Sequence, residues 1–478
     1  MKKIFNLLFV LLICAASGWL YFDGRLYQLL EREAPVITWV TKPEFVGYKP
    51  YKLSFTVEDR GSGVSNVVVT ASGAGADNKL ISHEIYSQKE RFDSKTLSFV
   101  VDPKEFGVTE GKLNLDIVVS DSSLWKNLAA ARAEVIIDRE LPSIEVASKH
   151  HYGAIGGTVV VWYRIHSDDV ARSGVRYGNS QYLGSPVKGF DSRFDSDAGL
   201  FVVMVPLARD TSRGSLGPLR AFAVDKAGNE RLIDFNQQIK PRIFPKARID
   251  LNQSFISKVV PDLHPEFEKL FPGEPSSEYS VDMEDMATIQ MFRDVNERLR
   301  QKNAEMVLAL ADRTAADRIP LGIIKPLPAS LTGAFGEVRS FFLHGKEAGG
   351  SVHEGYDLAD TLGASVRAAA DGTVLHAGPF GIYGNAIVID HGLGFQTLYG
   401  HLSVVGVKVG DMVTSGMSVG ATGMTGLAGG DHLHFETRLH GVAVDPKEWL
   451  DSNWIETRIK GPLVDLLANQ TSYSHRQK

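Results

Sequence analysis

The chain has 478 residues, 44% of them hydrophobic and 23% charged, a composition close to that of ordinary globular proteins. This excludes a polytopic membrane protein and a largely disordered chain, and the length predicts three or four domains. With 51 Lys+Arg against 57 Asp+Glu the net charge is -6, and no basic run is present to track phosphates, so nucleic acid is not an expected partner.

After Lys2 and Lys3, the stretch Ile4 to Phe22 is apolar apart from Asn6, Ser17 and Gly18. Coiled into a helix it would rise about 28 Å, close to the roughly 30 Å hydrocarbon core of a bilayer. Residues 1–24 are therefore expected to anchor the chain in the cytoplasmic membrane, with the lysines inside. Ala15-Ala16-Ser17 supports the competing reading, a cleaved signal peptide. Both readings export the body to the outer, periplasmic side, into the cell envelope. The only cysteine, Cys14, allows neither an internal disulfide nor a thiolate metal site, so any metal must rest on His and carboxylate.

From about Pro35 to Ile239 the text is strand-like. Leu53, Phe55 and Val57 alternate with polar residues, and Val67-Val68-Val69 and Val159-Val160-Val161 are separated by Gly, Ser, Asp and Asn. The segment repeats itself. Pro35-Val36-Ile37 is echoed by Pro142-Ser143-Ile144, Ser62-Gly63-Val64 by Ser173-Gly174-Val175, and Ser120-Asp121 to Asn127 by Val224-Asp225 to Asn229. Offsets of about 100 to 111 residues suit two tandem immunoglobulin-like sandwiches, residues 33–140 and 141–245, acting as spacers or wall-binding units. His150-His151 reads as a solvated loop pair.

Residues 246–325 change character. Pro261, Pro265, Pro272 and Pro275 punctuate the text before Asp282 to Asp312, where Ile289, Phe292, Val295 and Leu299 fall at helical spacing. A helical connector is expected, with a movable cover as the sharper alternative.

Eight of the fourteen histidines lie between His344 and His440, within residues 326–455. Three strings stand out: His353-Glu354-Gly355-Tyr356-Asp357, Tyr399-Gly400-His401-Leu402, and His432-Leu433-His434-Phe435-Glu436. On a strand His432 and His434 project from one face, about 7 Å apart, so both imidazoles can serve one cleft. The first string opens like the His-Glu-x-x-His helix of many zinc proteases, but its fifth residue is Asp357, and Gly349, Gly350 and Gly355 disfavour a continuous helix. A His and a carboxylate from this string with one His of the distant pair make a His2Asp set with an open position, the catalytic pattern for zinc.

These strings, in this order and separated by glycine-rich β text, resemble the lysostaphin/LytM-type zinc endopeptidases that cut peptidoglycan peptides, over roughly Leu331 to Leu450. The resemblance implies a compact antiparallel β domain, Zn2+ held by His353, Asp357 and His434, and His401 and His432 as catalytic histidines. One departure is visible: the family often has Ser-Thr-Gly-Pro where this chain reads Ala428-Gly429-Gly430-Asp431, a loop expected to border the substrate cleft. Glu354 and Glu436 are alternative bases, and Glu436 is equally placed to orient a ligand. The expectation is mainly β: two sandwiches, a helical connector, a zinc peptidase domain and a tail at 456–478. The predicted activity is an exported, membrane-tethered zinc metalloendopeptidase hydrolysing peptidoglycan cross-links. The alternative is a non-catalytic LytM-like regulator that activates a separate wall hydrolase.

Overall fold

The computed structural model describes residues 9–466 apart from 12, 16–17, 19–27, 29, 43, 75–79, 90, 103, 105–110, 189, 191–198, 210–216, 273–284 and 316–317. Most of the expected anchor at residues 1–24 lies outside the described residues. Among those described, no helix is long and apolar enough to cross a membrane. The fold is mainly β, as expected, and divides into two compact units.

The first unit comprises Met1–Ser143, Ser167–Arg172 and Ala223–Arg231. Strands Val36–Thr41, Tyr51–Glu58 and Ser94–Val101 form one sheet; Phe45–Val46, Leu128–Ile137, Gly111–Asp121, Val64–Ala74 and Leu80–Gln88 form a second, in that order. Alternation drives the pairing. Leu53, Phe55 and Val57 are fully buried and meet Leu113, Ile117 and Val119 of the second sheet in shared apolar clusters.

Residues 141–245 supply two four-stranded sheets, one ordered Ser185–Pro186, Leu200–Pro206, Thr158–Ile165, Ile144–Val146 and the other Ser180–Leu183, Val170–Tyr177, Arg220–Asp225, Glu230–Asp234. His151 corrects the sequence reading of a solvated pair. It is buried, its Nδ1 donates to the Asn236 carbonyl at 2.8 Å, and its Nε2 lies 2.7 Å from the Ser148 hydroxyl.

The second unit contains a helix the sequence did not announce, Gln253–Leu270, with Pro261 and Pro265 inside it. Each proline in a helix interior costs about 3 kcal/mol. The buried stripe Ile256, Val259, Val260, Leu263 and Phe267 outweighs that penalty, and Asn252 Oδ1 caps the start by accepting from the Phe255 amide at 2.7 Å. The expected amphipathic helix runs Asp285–Ala311, widening to π geometry over Asp294–Leu299. Its Ile289, Phe292, Val295 and Leu299 join one core with Phe341, Leu343, Ile382, Tyr383 and Leu398.

The sheet of residues 330–444 is ordered Ser330–Gly333, Tyr356–Ala359, Leu433–Leu439, Phe395–Leu402, Asn385–Asp390, Gly372–Pro379, Met412–Val413, with Val442–Val444 beside Leu433–Leu439. The segment from Glu456, expected as a tail, is helical to Leu466. Ile459 and Leu466 bury beside Trp162, Phe395 and Trp449 because an apolar slot is available to them.

Candidate metal centre

Three neighbouring strands set the site. Asp357 on Tyr356–Ala359 sits directly opposite His434 on Leu433–Leu439, and His434 sits opposite Gly400 on Phe395–Leu402, which places His401 next in line. His353 precedes Tyr356–Ala359 by three residues and turns back over it. Its Nε2 lies 2.9 Å from Asp357 Oδ1 and 3.0 Å from His434 Nδ1, and that nitrogen is in turn 3.0 Å from the same Asp357 oxygen. Three donor atoms of a His2Asp set thus converge, all from buried residues. Their mutual distances are near the edge of about 3.3 Å that bonds of about 2.05 Å make at tetrahedral angles, so these donors fit a metal such as zinc.

Hydrogen bonds fix which nitrogen of each ring faces the cleft. The acceptors for the outward nitrogens are oxygens that cannot donate. His353 Nδ1 donates to the Ala334 carbonyl at 2.9 Å, and His434 Nε2 to Glu436 Oε1 at 2.8 Å. His401 Nδ1 donates to the Thr425 carbonyl and His432 Nδ1 to the Gly430 carbonyl, both at 2.8 Å. The remaining nitrogen of each ring is left to the cleft. The His401 and His432 rings are 4.8 Å apart, and His401 is 5.7 Å from His434. His401 reaches this position with a left-handed backbone, φ 62°, a conformation uncommon outside glycine and frequent at functional sites.

The electrostatics follow from burial and contact. Burial alone would raise Asp357, but hydrogen bonds from His353, His432 and His434 hold it well below the usual carboxylate range. Burial likewise depresses His434, yet its bonds to Asp357 and Glu436 prevail and lift it to about 9. His401 is pushed well below its ordinary value by burial and by His432 and His434 beside it, so it is neutral at neutral pH.

Behind these residues lies a supporting network. Glu436 Oε1 also accepts from the Tyr383 hydroxyl at 3.0 Å, and its Oε2 accepts from Arg438 Nε at 2.5 Å. Arg438 bonds Glu354 through Nη2. With both of its oxygens committed in this way Glu436 takes the orienting place, and neither it nor Glu354 is among the residues lining the cleft. Asp357 Oδ2 accepts from Arg339 Nη2 at 2.9 Å. Gly333 makes room for that pair, since a Cβ there would come within 2.4 Å of Asp357 Oδ2.

The cleft has a volume of about 170 Å³, and its lining includes His353, Asp357, His401, His432 and His434 together with Arg300, Arg339 and Tyr383. All five sequence-predicted residues are therefore brought together. The departure loop is represented by Gly429, which also lines the cleft. Other histidines of the cluster serve the fold: His391 Nδ1 donates to the Asp371 carbonyl, and His440 Nε2 to that of Met204.

Arg300, Arg339, Tyr383 and Arg438 were not anticipated from the sequence. Arg438 carried a usable signal, since residues 434, 436 and 438 share one face of a strand. Arg300 carried none, because it comes from the helix before the domain. There Asn303 Oδ1 accepts from the Ile382 amide at 2.9 Å and fixes the turn that carries Tyr383.

Residues 351–446 match the model of peptidase family M23. The DD-carboxypeptidase/endopeptidase Mpg of Neisseria meningitidis is 44% identical over 95 residues, 20% of this chain and 22% of its own length. The murein hydrolase activator EnvC of Escherichia coli is 33% identical over 154 residues, 32% of this chain and 37% of its own. The chain thus spans well under half the length of these relatives. Among solved structures, the catalytic domain of the antimicrobial peptidase lysostaphin from Staphylococcus simulans is 30% identical, with 26% of this chain and 92% of that one covered and a TM-score of 0.22.

Proposed function

We propose that this chain, which carries a peptidase family M23 domain at residues 351–446, is a zinc metalloendopeptidase that hydrolyses peptide cross-links of bacterial peptidoglycan. The observation that carries this reading is the convergence of His353 Nε2, Asp357 Oδ1 and His434 Nδ1 within 3.0 Å, beside two further histidines that keep a nitrogen for the cleft.

His353, Asp357 and His434 would hold the zinc, and the metal would supply Lewis acidity towards a carbonyl and towards water, whose pKa it lowers to about 7 when bound. His401, neutral and with Nδ1 tied to Thr425, takes up the proton of the attacking water at Nε2. His432, held through its own Nδ1, keeps Nε2 as a second acceptor beside it, and the imidazolium formed when either ring takes that proton stabilises the developing oxyanion and then returns the proton to the leaving amine. Glu436 fixes the His434 ring. Arg300, bonded to the neutral Asn296, gives the cleft a positive border suited to a carboxylate-bearing peptide, whereas Arg339 is spent on Asp357 and Glu337.

In this reading residues 1–24 tether the chain to the cytoplasmic membrane, the body lies on the periplasmic side, and the two β segments are immunoglobulin-like spacers that set the reach of the cleft. The helix Asp285–Ala311 shares its core with the sheet and acts as a wall of the site rather than a detachable cover.

The likeness to a murein hydrolase activator favours a second reading, a regulator that works through a separate wall hydrolase. Incubating the full chain with purified sacculi, with and without zinc, and identifying released fragments by mass spectrometry decides between the two. Zinc-dependent release of peptide fragments by the chain alone is expected. Release only when another hydrolase is added would establish the regulator.

A further inference from the structure

A second group of charged side chains lies in the first unit, away from the histidine cleft. Glu31, Asp59 and Asp121 each offer an oxygen, all within 4.8 Å of one another. They come from three separate stretches: the lead-in to strand Val36–Thr41, the turn after Tyr51–Glu58, and the end of Gly111–Asp121. Asp59 is 7% exposed and Asp121 fully buried. Three carboxylates at this range repel one another, and burial, followed in part by the charges of Glu31 and Asp121, holds Asp59 above the usual carboxylate value.

The protein's own donors account for only part of this cluster. Asp121 Oδ2 accepts from Asn127 Nδ2 at 2.7 Å, and its Oδ1 from the Ser123 amide and hydroxyl at 3.1 and 2.8 Å. Glu31 accepts from the Ser62 amide at 2.5 Å, and Asp59 Oδ1 from the Gly61 amide at 2.9 Å. Asp59 Oδ2, in contrast, is buried without a hydrogen-bond partner, and so is the Ser62 hydroxyl oxygen. A buried acceptor left alone costs about 1–3 kcal/mol, and more when it is charged.

We infer that Glu31, Asp59 and Asp121 bind a calcium ion, with the unpartnered Asp59 Oδ2 among its ligands. Oxygen donors without His or Cys select a hard cation, and three carboxylates supplied by the protein suit calcium, with its 6–8 oxygen ligands, better than magnesium, which keeps several waters in a strict octahedron. Such an ion relieves the repulsion and gives the lone oxygen its partner. Through Glu31 it also fastens the lead-in segment, which Asn127 Nδ2 already holds at 3.0 and 3.2 Å from the Glu31 and Glu33 carbonyls.

The same plan recurs 102 to 110 residues further along the chain. Asp138, Asp169 and Asp225 form an equivalent group. Asn229 Nδ2 lies 2.9 Å from both Asp225 Oδ2 and the Asp138 carbonyl, and 3.3 Å from that of Glu140. The repetition marks the arrangement as a feature of the repeated unit.

The test is calorimetric titration of the full chain, in detergent and with zinc present, with calcium up to about 1 mM, the range of extracellular calcium modules. The wild type is expected to bind at least one more calcium ion per chain than Asp59→Asn. Calcium should raise the Tm of the wild type by more than that of the variant. Without calcium, Asp59→Asn should be at least as stable as the wild type, since it removes a repelling charge and keeps the Gly61 contact. Equal calcium stoichiometry in the two proteins, or no uptake by the wild type, would overturn the assignment. Should Asp59→Asn fail to fold, Glu31→Gln gives the same comparison at a less buried position.

Discussion

His353 Nε2 and His434 Nδ1 face each other across 3.0 Å, with Asp357 Oδ1 2.9 Å from the first and 3.0 Å from the second. The opposite nitrogen of each ring is already committed to an oxygen acceptor. Two lone pairs and a carboxylate oxygen therefore need either a cation or a proton between them, and His434 at about 9 shows that the metal-free site holds a proton at neutral pH.

That proton must leave when metal enters. Zinc uptake at pH 7 is expected to release about one proton per site from His434 and roughly half a proton more from zinc-bound water, read by calorimetry in buffers of different ionisation enthalpy. The sign for stability follows. With its folded value above the unfolded 6.5, His434 stabilises the metal-free chain fully below pH 6.5, and that contribution is lost as pH rises through about 9. The zinc-loaded chain should lack this slope. Zinc uptake at pH 7 with no proton release would contradict the picture.

Replacing single histidines separates metal holding from proton transfer. His434→Ala should lose both bound metal and activity on sacculi. His401→Ala should keep about one metal per chain and lose at least 100-fold in turnover, the scale of general acid–base catalysis. Full activity in the His401 variant would remove its assigned role.

Glu436 acts through His434. Glu436→Gln removes the charge that orients the ring and partners Arg438, so zinc affinity should fall about 10–100-fold. Stability should fall by roughly 3 kcal/mol from the buried arginine left underpaired. Competition with a chromophoric chelator and denaturant unfolding measure the two effects. An unchanged zinc affinity would make Glu436 a purely structural group.

A pH effect independent of the metal is expected at Glu448. Burial raises it to about 7, although the Thr158 amide donates to it at 2.7 Å. A carboxyl raised in this way favours the folded state below about pH 4.5, and the benefit fades as pH rises through 7. Glu448→Gln should flatten the stability profile between those values by roughly 3 kcal/mol. Parallel slopes for variant and wild type would contradict this.

The three converging donors were legible in the sequence because a metal site without cysteine demands His and carboxylate, and strand alternation brings His432 and His434 to one cleft. Their supports were less so. Arg339 reaches Asp357 through the pairing of strand Val338–Leu343 with Lys346–Val352, which leads into His353, in a register shifted at Phe341/Phe342 that no local pattern states. The helix Gln253–Leu270 was hidden by Pro261 and Pro265, since local propensity argues against a helix that only burial against a neighbouring core sustains. Arg300 and Asn303 enter the site through that same core, so the motif strings alone could not announce them.

The account rests on one cation shared by three side chains with a coordination position left over. Anomalous scattering at the zinc edge from crystals of the zinc-loaded chain tests it most directly. One zinc is predicted per histidine cleft, within about 2.0–2.2 Å of His353 Nε2, Asp357 Oδ1 and His434 Nδ1, with a non-protein fourth ligand. An absence of zinc from that point, or a fourth bond made by His401 or His432 that closes the sphere, would contradict it.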